Sequence, residues 1–140
     1  MEEHRLEGPA AASFLKAGNA LFTIENTKTG NHFTFRVTKC KDPGKNLWFV
    51  KTRNGKEDAE HNYAYIGAIF GNEFRRTAKS RVAPDAQCLK VFDWVFRNIQ
   101  NLPEYVHFLH EGRCGRCNRT LTDPTSVAAG IGPECLKKAA

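Results

Sequence analysis

Three cysteines near the end of the chain constrain its fold more than any other feature. Cys114 and Cys117 form a C-x-x-C pair whose short turn directs both sulfurs at one centre, and Cys135 returns a third sulfur. His110 offers an imidazole nitrogen just before the pair. Three thiolates and one imidazole make a closed tetrahedral shell that suits zinc. The sequence therefore predicts one structural Zn²⁺ ion bound by His110, Cys114, Cys117 and Cys135.

The fourth ligand of this site has alternatives. His110 is favoured over His107 because its spacing to Cys114 allows a compact site. Glu111 and Asp123 are further candidates that would supply a carboxylate oxygen. The zinc prediction depends on the three cysteines and leaves the fourth position to be decided among these side chains.

Other chemistries fit the cysteines less well. A redox C-x-x-C pair belongs in a thioredoxin-like βαβ context, which the flanking sequence lacks. An iron–sulfur cluster prefers four cysteines, whereas Cys40 and Cys88 fall at a strand end and on a helix stripe. A catalytic zinc would keep an open position beside an acid or base, and the deaminase and metalloprotease signatures are both missing. Structural zinc is therefore preferred.

The cysteine count also bears on the compartment. Five cysteines, an odd number clustered at metal spacing, fit a reducing cytoplasm better than a disulfide framework. No apolar run approaches the roughly 20 residues that cross a bilayer. The N-terminus lacks the basic-then-apolar order of a secretory signal. We expect a cytoplasmic protein with no membrane partner.

The first half of the chain carries strand patterns. Residues 32–38 alternate strictly, with Phe33, Phe35 and Val37 on one face and polar side chains on the other. Turn residues separate this segment from similar ones on either side. The predicted strands are 20–26, 32–38, 47–52, 63–70 and 73–77, with a short bridging strand at 104–109. We expect an α+β fold built on an antiparallel β-meander or small barrel.

Two helices and two domains complete the predicted fold. Residues 9–16 favour a short helix, and 85–100 a long amphipathic helix with Leu89, Phe92, Val95 and Phe96 on one stripe. The predicted α+β domain spans 1–103, with about five strands and the helix 85–100. A zinc module follows at 104–140. Its turn and its terminal helix would each present cysteines, as in a treble clef.

The basic charge is concentrated on particular segments. The formal net charge is +6, and the basic excess lies mainly in the middle of the chain, in residues 28–56 and 71–81. Such residues can bind phosphates, although a solvated basic surface needs no partner. Trp48 or Tyr65 would stack on bases if exposed. The candidate nucleic-acid contacts are Arg75, Arg76, Lys79, Arg81, Arg113, Arg116, Arg119, Lys137 and Lys138.

The wording of the tail resembles a known family. The motifs are His-Glu-Gly-Arg-Cys-Gly-Arg-Cys at 110–117, Leu-Thr-Asp-Pro at 121–124 and Gly-Ile-Gly-Pro-x-Cys at 130–135. Over residues 110–136 the chain resembles a bacterial and phage family of short zinc-binding modules, classed as a domain of unknown function. Such modules occur in small phage proteins and beside DNA-acting domains. The resemblance implies zinc binding at Cys114, Cys117, Cys135 and His110, and an origin in a mobile element.

Two functions follow from these features. The favoured one is a non-enzymatic zinc protein that binds DNA or RNA through its basic surfaces in the bacterial host cell. The alternative is a protein-interaction module that inhibits or redirects a host protein, such as a nuclease of a defence system. An enzyme is the weakest reading, because no nucleophile–base pair, carboxylate pair or phosphate-cradling glycine loop stands out. The oligomeric state has no signal in the sequence.

Overall fold

The backbone forms one antiparallel sheet with helices along one face. The computed structural model describes residues 4–42, 44–54, 62–122, 124–132 and 135. The sheet has seven strands, and the chain is an α+β fold. The strands are β1 (Arg5–Leu6), β2 (Asn19–Asn26), β3 (His32–Lys39), β4 (Leu47–Arg53), β5 (Tyr63–Phe70), β6 (Glu73–Arg75) and β7 (Val106–His110).

The sheet is open and mostly a meander. Its strand order is β1-β7-β2-β3-β4-β5-β6, so β2 to β6 follow one another as the alternation predicts. Among the described residues β1 and β6 are the two edges, and the small-barrel alternative is not formed. The bridging strand predicted at 104–109 is present as β7. The two-residue strand β1, which pairs with β7, was not predicted.

The structure contains three α-helices among the described residues, and the one predicted to be long is shorter than expected. Helix α1 covers Gly8–Leu15, α2 covers Gln87–Arg97 and α3 covers Pro124–Ala129. The predicted helix 85–100 thus begins later and ends earlier, and a 3₁₀ turn at Ile99–Asn101 follows it. The α-helical pattern stops at Asn98, whose N–H is shared between two carbonyls, which is the geometry of a tightening last turn. No helix among the described residues is both long and apolar enough to span a membrane.

An aromatic core lies between the sheet and the helices. Phe22 of β2 stacks on Phe108 of β7 with ring centroids 4.3 Å apart, and Phe35 of β3 meets Phe92 of α2 at 5.2 Å. Phe14 of α1 meets Phe22 edge-on at 6.4 Å. All five rings are fully buried. Burying one such ring contributes about 1.5–3 kcal/mol, so this cluster is the main source of stability.

Strand β7 joins the cysteine region to the sheet. It lies between β1 and β2, where Phe108 is opposite Leu6 on one side and Ile24 on the other. The predicted domain boundary at 103/104 therefore falls just before an internal strand of the sheet. The first part of the predicted zinc module, expected to be a bridge, supplies part of the main core. The chain leaves the sheet at His110 and enters the cysteine turn directly.

Candidate metal centre

The three tail cysteines meet at one point. The sulfur atoms of Cys114, Cys117 and Cys135 all lie within 4.8 Å of one another. A tetrahedral zinc ion with Zn–S bonds of about 2.3 Å would hold its sulfurs about 3.8 Å apart, which is within this limit. The donor set is soft and rich in thiolate, as zinc prefers. This group can hold a metal ion, as the spacing of the cysteines predicts.

The turn that carries the C-x-x-C pair is a tight knuckle. The Cys114 N–H donates to the Arg119 carbonyl at 2.8 Å, and the Asn118 N–H donates back to the Cys114 carbonyl at 2.9 Å. Asn118 has a positive φ of 64°, which asparagine tolerates better than most residues. This conformation, directly after the second cysteine, turns the chain so that both sulfurs face inward.

Backbone N–H groups surround the Cys114 sulfur. Those of Arg116 and Gly132 each lie 3.4 Å from it. Burial raises the pKa of the Cys114 thiol, but these N–H groups outweigh burial and bring the pKa to about 7. Burial and the neighbouring thiols raise the pKa of Cys135 to about 11. The thiolate therefore forms more readily at Cys114 than at Cys135, and a cation would be needed to hold the Cys135 sulfur ionised near neutral pH.

His110 lies outside the group of three sulfurs. Its ring is buried, its Nε2 lies 2.6 Å from the Val127 carbonyl oxygen, and its Nδ1 accepts the Gly112 N–H at 3.0 Å. Burial lowers the pKa of His110, which favours the neutral ring with its proton on Nε2. In this arrangement His110 ties the end of β7 to helix α3. The alternative ligand His107 instead faces Glu25 at 3.7 Å.

Two glycines let the knuckle pack against helix α1. A Cβ atom on Gly115 would lie 2.7 Å from the Phe14 ring, and one on Gly130 would lie 2.8 Å from it. The Gly115 N–H donates to the Gly130 carbonyl at 2.9 Å, and the Gly115 carbonyl accepts the Asn19 N–H at 2.7 Å. Sequence reasoning assigned no such role to Phe14 or Gly115. The only signal was the glycine inside the C-x-x-C pair.

The predicted arginines of the cysteine region are all exposed. Arg113 donates to the Asn118 carbonyl and Arg116 to the Cys135 carbonyl, each at 3.4 Å. These long contacts orient the side chains and use few of the five N–H donors of a guanidinium. Arg119 lies on the other arm of the same turn. Lys137 and Lys138 fall outside the described residues.

The four predicted cations of the main domain are also exposed. Arg75 pairs with Glu73 at 2.9 Å, which partly neutralises it. Arg76 donates twice to the Val82 carbonyl, at 3.1 and 2.7 Å, and so closes the loop that holds Lys79 and Arg81. The structure therefore separates these cations into one paired residue at a sheet edge and a basic loop.

Of the two candidate stacking rings, the structure leaves one accessible. Trp48 is only 6% exposed, and its indole N–H donates to the Lys16 carbonyl at 3.2 Å inside the core. It cannot stack on a base without leaving the core. Tyr65 is half-buried, on the face of the sheet that points away from the helices. Its hydroxyl bonds that of Thr77 at 3.0 Å.

Further basic residues that sequence reasoning did not select share that face. Arg36, Lys51 and Arg53 lie on neighbouring strands, beside Tyr63 and Tyr65. In the sequence these residues occupy the polar positions of the alternating strand patterns, and such positions indicate no more than a solvent-facing surface. Only the strand register brings these side chains side by side.

A comparison with protein families finds a similarity at the end of the chain. Residues 106–140 match the family described as "Family of unknown function (DUF6011)". The match begins with β7 and includes all three cysteines. It agrees with the expected resemblance to a domain of unknown function at this end of the chain. No curated protein and no solved structure matches the chain.

Proposed function

We propose that the protein is a non-enzymatic zinc protein that binds nucleic acid. One structural Zn²⁺ ion would be held by Cys114, Cys117 and Cys135, in a treble-clef-like arrangement. His110 is the fourth ligand proposed from its spacing, and to bind zinc it would have to give up one of its two backbone contacts. A reducing cytoplasm would keep the thiols available.

The observation that carries the nucleic-acid part is the set of exposed cations around this centre. Arg113, Arg116 and Arg119 project from one turn of about seven residues, and a bound metal would fix that turn. Guanidinium groups at fixed spacing match successive phosphates well, because each presents several donors in a planar fork. The net charge of +6 acts in the same direction at longer range.

One experiment tests both parts of the proposal. Metal content is measured on the purified chain, and binding to labelled DNA and RNA is followed at several salt concentrations. We expect zinc near one per chain and an affinity that falls steeply with salt. Chelation should remove the zinc and weaken the binding. Zinc without any binding would refute the nucleic-acid part, and absence of zinc would refute the metal part.

A protein partner is the second candidate, and one observation favours it. Trp94 on α2 is 42% exposed beside a cavity of about 360 Å³ that Phe33 and Tyr105 also line. Exposed tryptophan next to an apolar hollow is typical of interaction surfaces. A host protein, such as a defence-system nuclease, would be the partner on this reading. It should be recovered by the wild-type chain after nuclease treatment and lost with Trp94→Ala.

A further inference from the structure

The face of the sheet opposite the helices has a composition of its own. Successive side chains of a strand point to opposite faces, so the residues that alternate with Phe35 and Val50 of the core point away from it. On β3, β4 and β5 the outward residues include Thr34, Thr38 and Leu47, and beside them a group of basic and aromatic residues. We call this group the open face; its members are Arg36, Phe49, Lys51, Arg53, Tyr63 and Tyr65.

Register sets cations beside rings across this face. Lys51 lies between Arg36 on β3 and Tyr65 on β5, and Arg53 lies opposite Tyr63. Neighbouring strands are about 4.8 Å apart, so each ring has a positive group within reach. The Arg36 guanidinium lies 5.0 Å from the centre of the Tyr63 ring. These contacts hold charge and ring in fixed relative positions before any ligand arrives.

A groove continues the open face at the outer edge of β5. Strand β6 pairs only with Ala68–Phe70, so the earlier part of β5 faces the basic loop instead. The Arg81 N–H donates to the Tyr65 carbonyl at 2.8 Å, which fixes the loop against the strand. The groove has a volume of about 490 Å³ and is lined by Lys51, Asn54, Tyr63, Ala64, Tyr65 and Arg81.

The charged residues of the three strands that form the open face are all basic. Strands β3, β4 and β5 contain no aspartate or glutamate. On the same side of the sheet, among the described residues, acidic side chains belong to Glu73 on β6, which pairs with Arg75, to Glu25 on β2, and to Glu111, which accepts from Thr23. Glu57, Asp58 and Glu60 lie outside the described residues. The open face therefore complements a chain of negative charges.

Flat rings between cations select a particular form of that chain. A phosphodiester backbone satisfies the cations, and a base with a free face satisfies a tyrosine ring. In a duplex the bases are stacked on one another and paired, so their faces are not available. A single strand presents phosphates and base faces together. A sheet surface that alternates cations and aromatic rings should therefore bind a single strand more tightly than a duplex.

We propose that the open face and its groove bind single-stranded nucleic acid, with Lys51 and Arg81 on the phosphates and Tyr65 under a base. This inference rests on the proposed function and specifies both the surface and the form of the ligand. The arginines of the cysteine knuckle then act as a second contact.

The test compares three labelled probes on the zinc-loaded full chain by fluorescence anisotropy. They are an oligothymidylate, an oligouridylate and a DNA duplex, all of equal length. Either single strand should bind on the order of tenfold more tightly than the duplex. The difference between the two single strands shows whether the sugar contributes. Equal or tighter binding of the duplex would overturn the inference.

Charge variants test the phosphate contacts. Lys51→Gln and Arg81→Gln should each reduce the slope of log affinity against log salt by about 0.7, the value for one lost phosphate contact on a single strand. Lys90→Gln, an exposed site on α2 on the other side of the sheet, is the matched control and should leave the slope unchanged. If all three variants keep the wild-type slope, the phosphate contacts lie elsewhere on the protein.

A pair of Tyr65 variants tests stacking. Tyr65→Leu keeps an apolar strand residue but removes the ring, so single-strand affinity should fall on the order of tenfold. Tyr65→Phe keeps the ring, loses only the hydroxyl contact to Thr77, and should bind within about twofold of wild type. Identical affinity of the two variants would refute stacking.

Failure of this inference is separable from failure of the proposed function. If the wild-type chain binds none of the three probes, the proposed function and the inference both fall. If it binds nucleic acid, but the open-face variants behave as wild type, only the inference falls. Thermal unfolding of each variant should match wild type, and the two charge variants do not depend on core packing.

Discussion

The sheet and the cysteine knuckle are stabilised in different ways. The sheet region holds five fully buried phenylalanines, from α1, β2, β3, α2 and β7. Beyond residue 110, the described residues other than glycine that are buried are Cys114, Ser126 and Ile131. None of them has a side chain larger than that of isoleucine. The first region can fold on hydrophobic burial, whereas the second has too small a core for that and, on the proposed function, depends on a bound metal. On the proposed function, a metal-dependent turn is thus attached to a hydrophobic sheet by strand β7 and by its packing against Phe14.

The largest expected effect comes from removing one sulfur. Cys117→Ser should abolish stoichiometric metal binding and unfold the knuckle from about residue 112 onward, since too little apolar surface remains there. Sheet signals in amide hydrogen exchange should persist, because β7 is paired on both sides. Metal analysis and hydrogen exchange measure the two responses. Cys40→Ser, outside the cluster, is the control; global unfolding of Cys117→Ser would show that the two regions are one cooperative unit.

The next effect should cross from one region to the other. Phe14 is fully buried and contacts both Phe22 of the sheet and the glycines of the knuckle. Phe14→Ala should reduce the free energy of unfolding by about 3–5 kcal/mol and weaken metal retention as well. Urea unfolding and competition with a chelator give the two numbers. Phe70→Ala, at a site 45% exposed, should change both much less.

A smaller effect should be confined to the joint between the regions. In Gly115→Ala the new methyl would meet the Phe14 ring at 2.7 Å, so ring or knuckle must shift, at about 1–3 kcal/mol. Gly132→Ala is a matched control, because its methyl would meet nothing closer than 3.8 Å. Chelator competition should show weaker zinc binding for the first variant alone. Equal zinc affinity of the two variants would mean that the knuckle does not depend on its packing against α1.

The smallest effect should come from pH. Burial lowers the pKa of His110 in the folded chain, so the unfolded chain takes up the proton first as pH falls. The contribution of His110 to the stability of the metal-free protein should therefore be constant above the ordinary histidine pKa of about 6.5 and decline below it, by at most about 1.4 kcal/mol per pH unit. Urea unfolding midpoints between pH 5 and 8, a range that brackets the ordinary histidine pKa, measure this dependence of stability on pH. His110→Gln should reduce the slope; an unchanged slope would assign it to other groups.

His110 also allows the two roles of the ring to be told apart. In cobalt-substituted protein, replacement of a nitrogen ligand shifts the visible absorption bands, whereas loss of a positioning contact weakens binding with the bands in place. His110→Gln separates these outcomes on one sample.

Local pattern predicted most of the sheet. The strict alternation around Phe33, Phe35 and Val37 placed β3 to within one residue, and turn residues placed its neighbours nearly as well. The cysteine cluster was also predictable, because a C-x-x-C turn is a local geometry. The pairing of Arg5 with Leu109 was not, since it depends on where two distant segments meet. For the same reason the open face could not be predicted. Its residues are separate polar or aromatic positions in the sequence, and only the strand register brings them together.

The position of β7 has a consequence for how the chain reaches its native state. The strand that comes last in the sequence fills the place between the first strand and the second. On a ribosome the meander can assemble early, but Phe22 has no stacking partner until residue 108 has emerged. Such distant pairing gives a high contact order and slow folding. Until then the outer edge of β2 is an open template for another chain, and a nascent-chain chaperone would have its longest opportunity there.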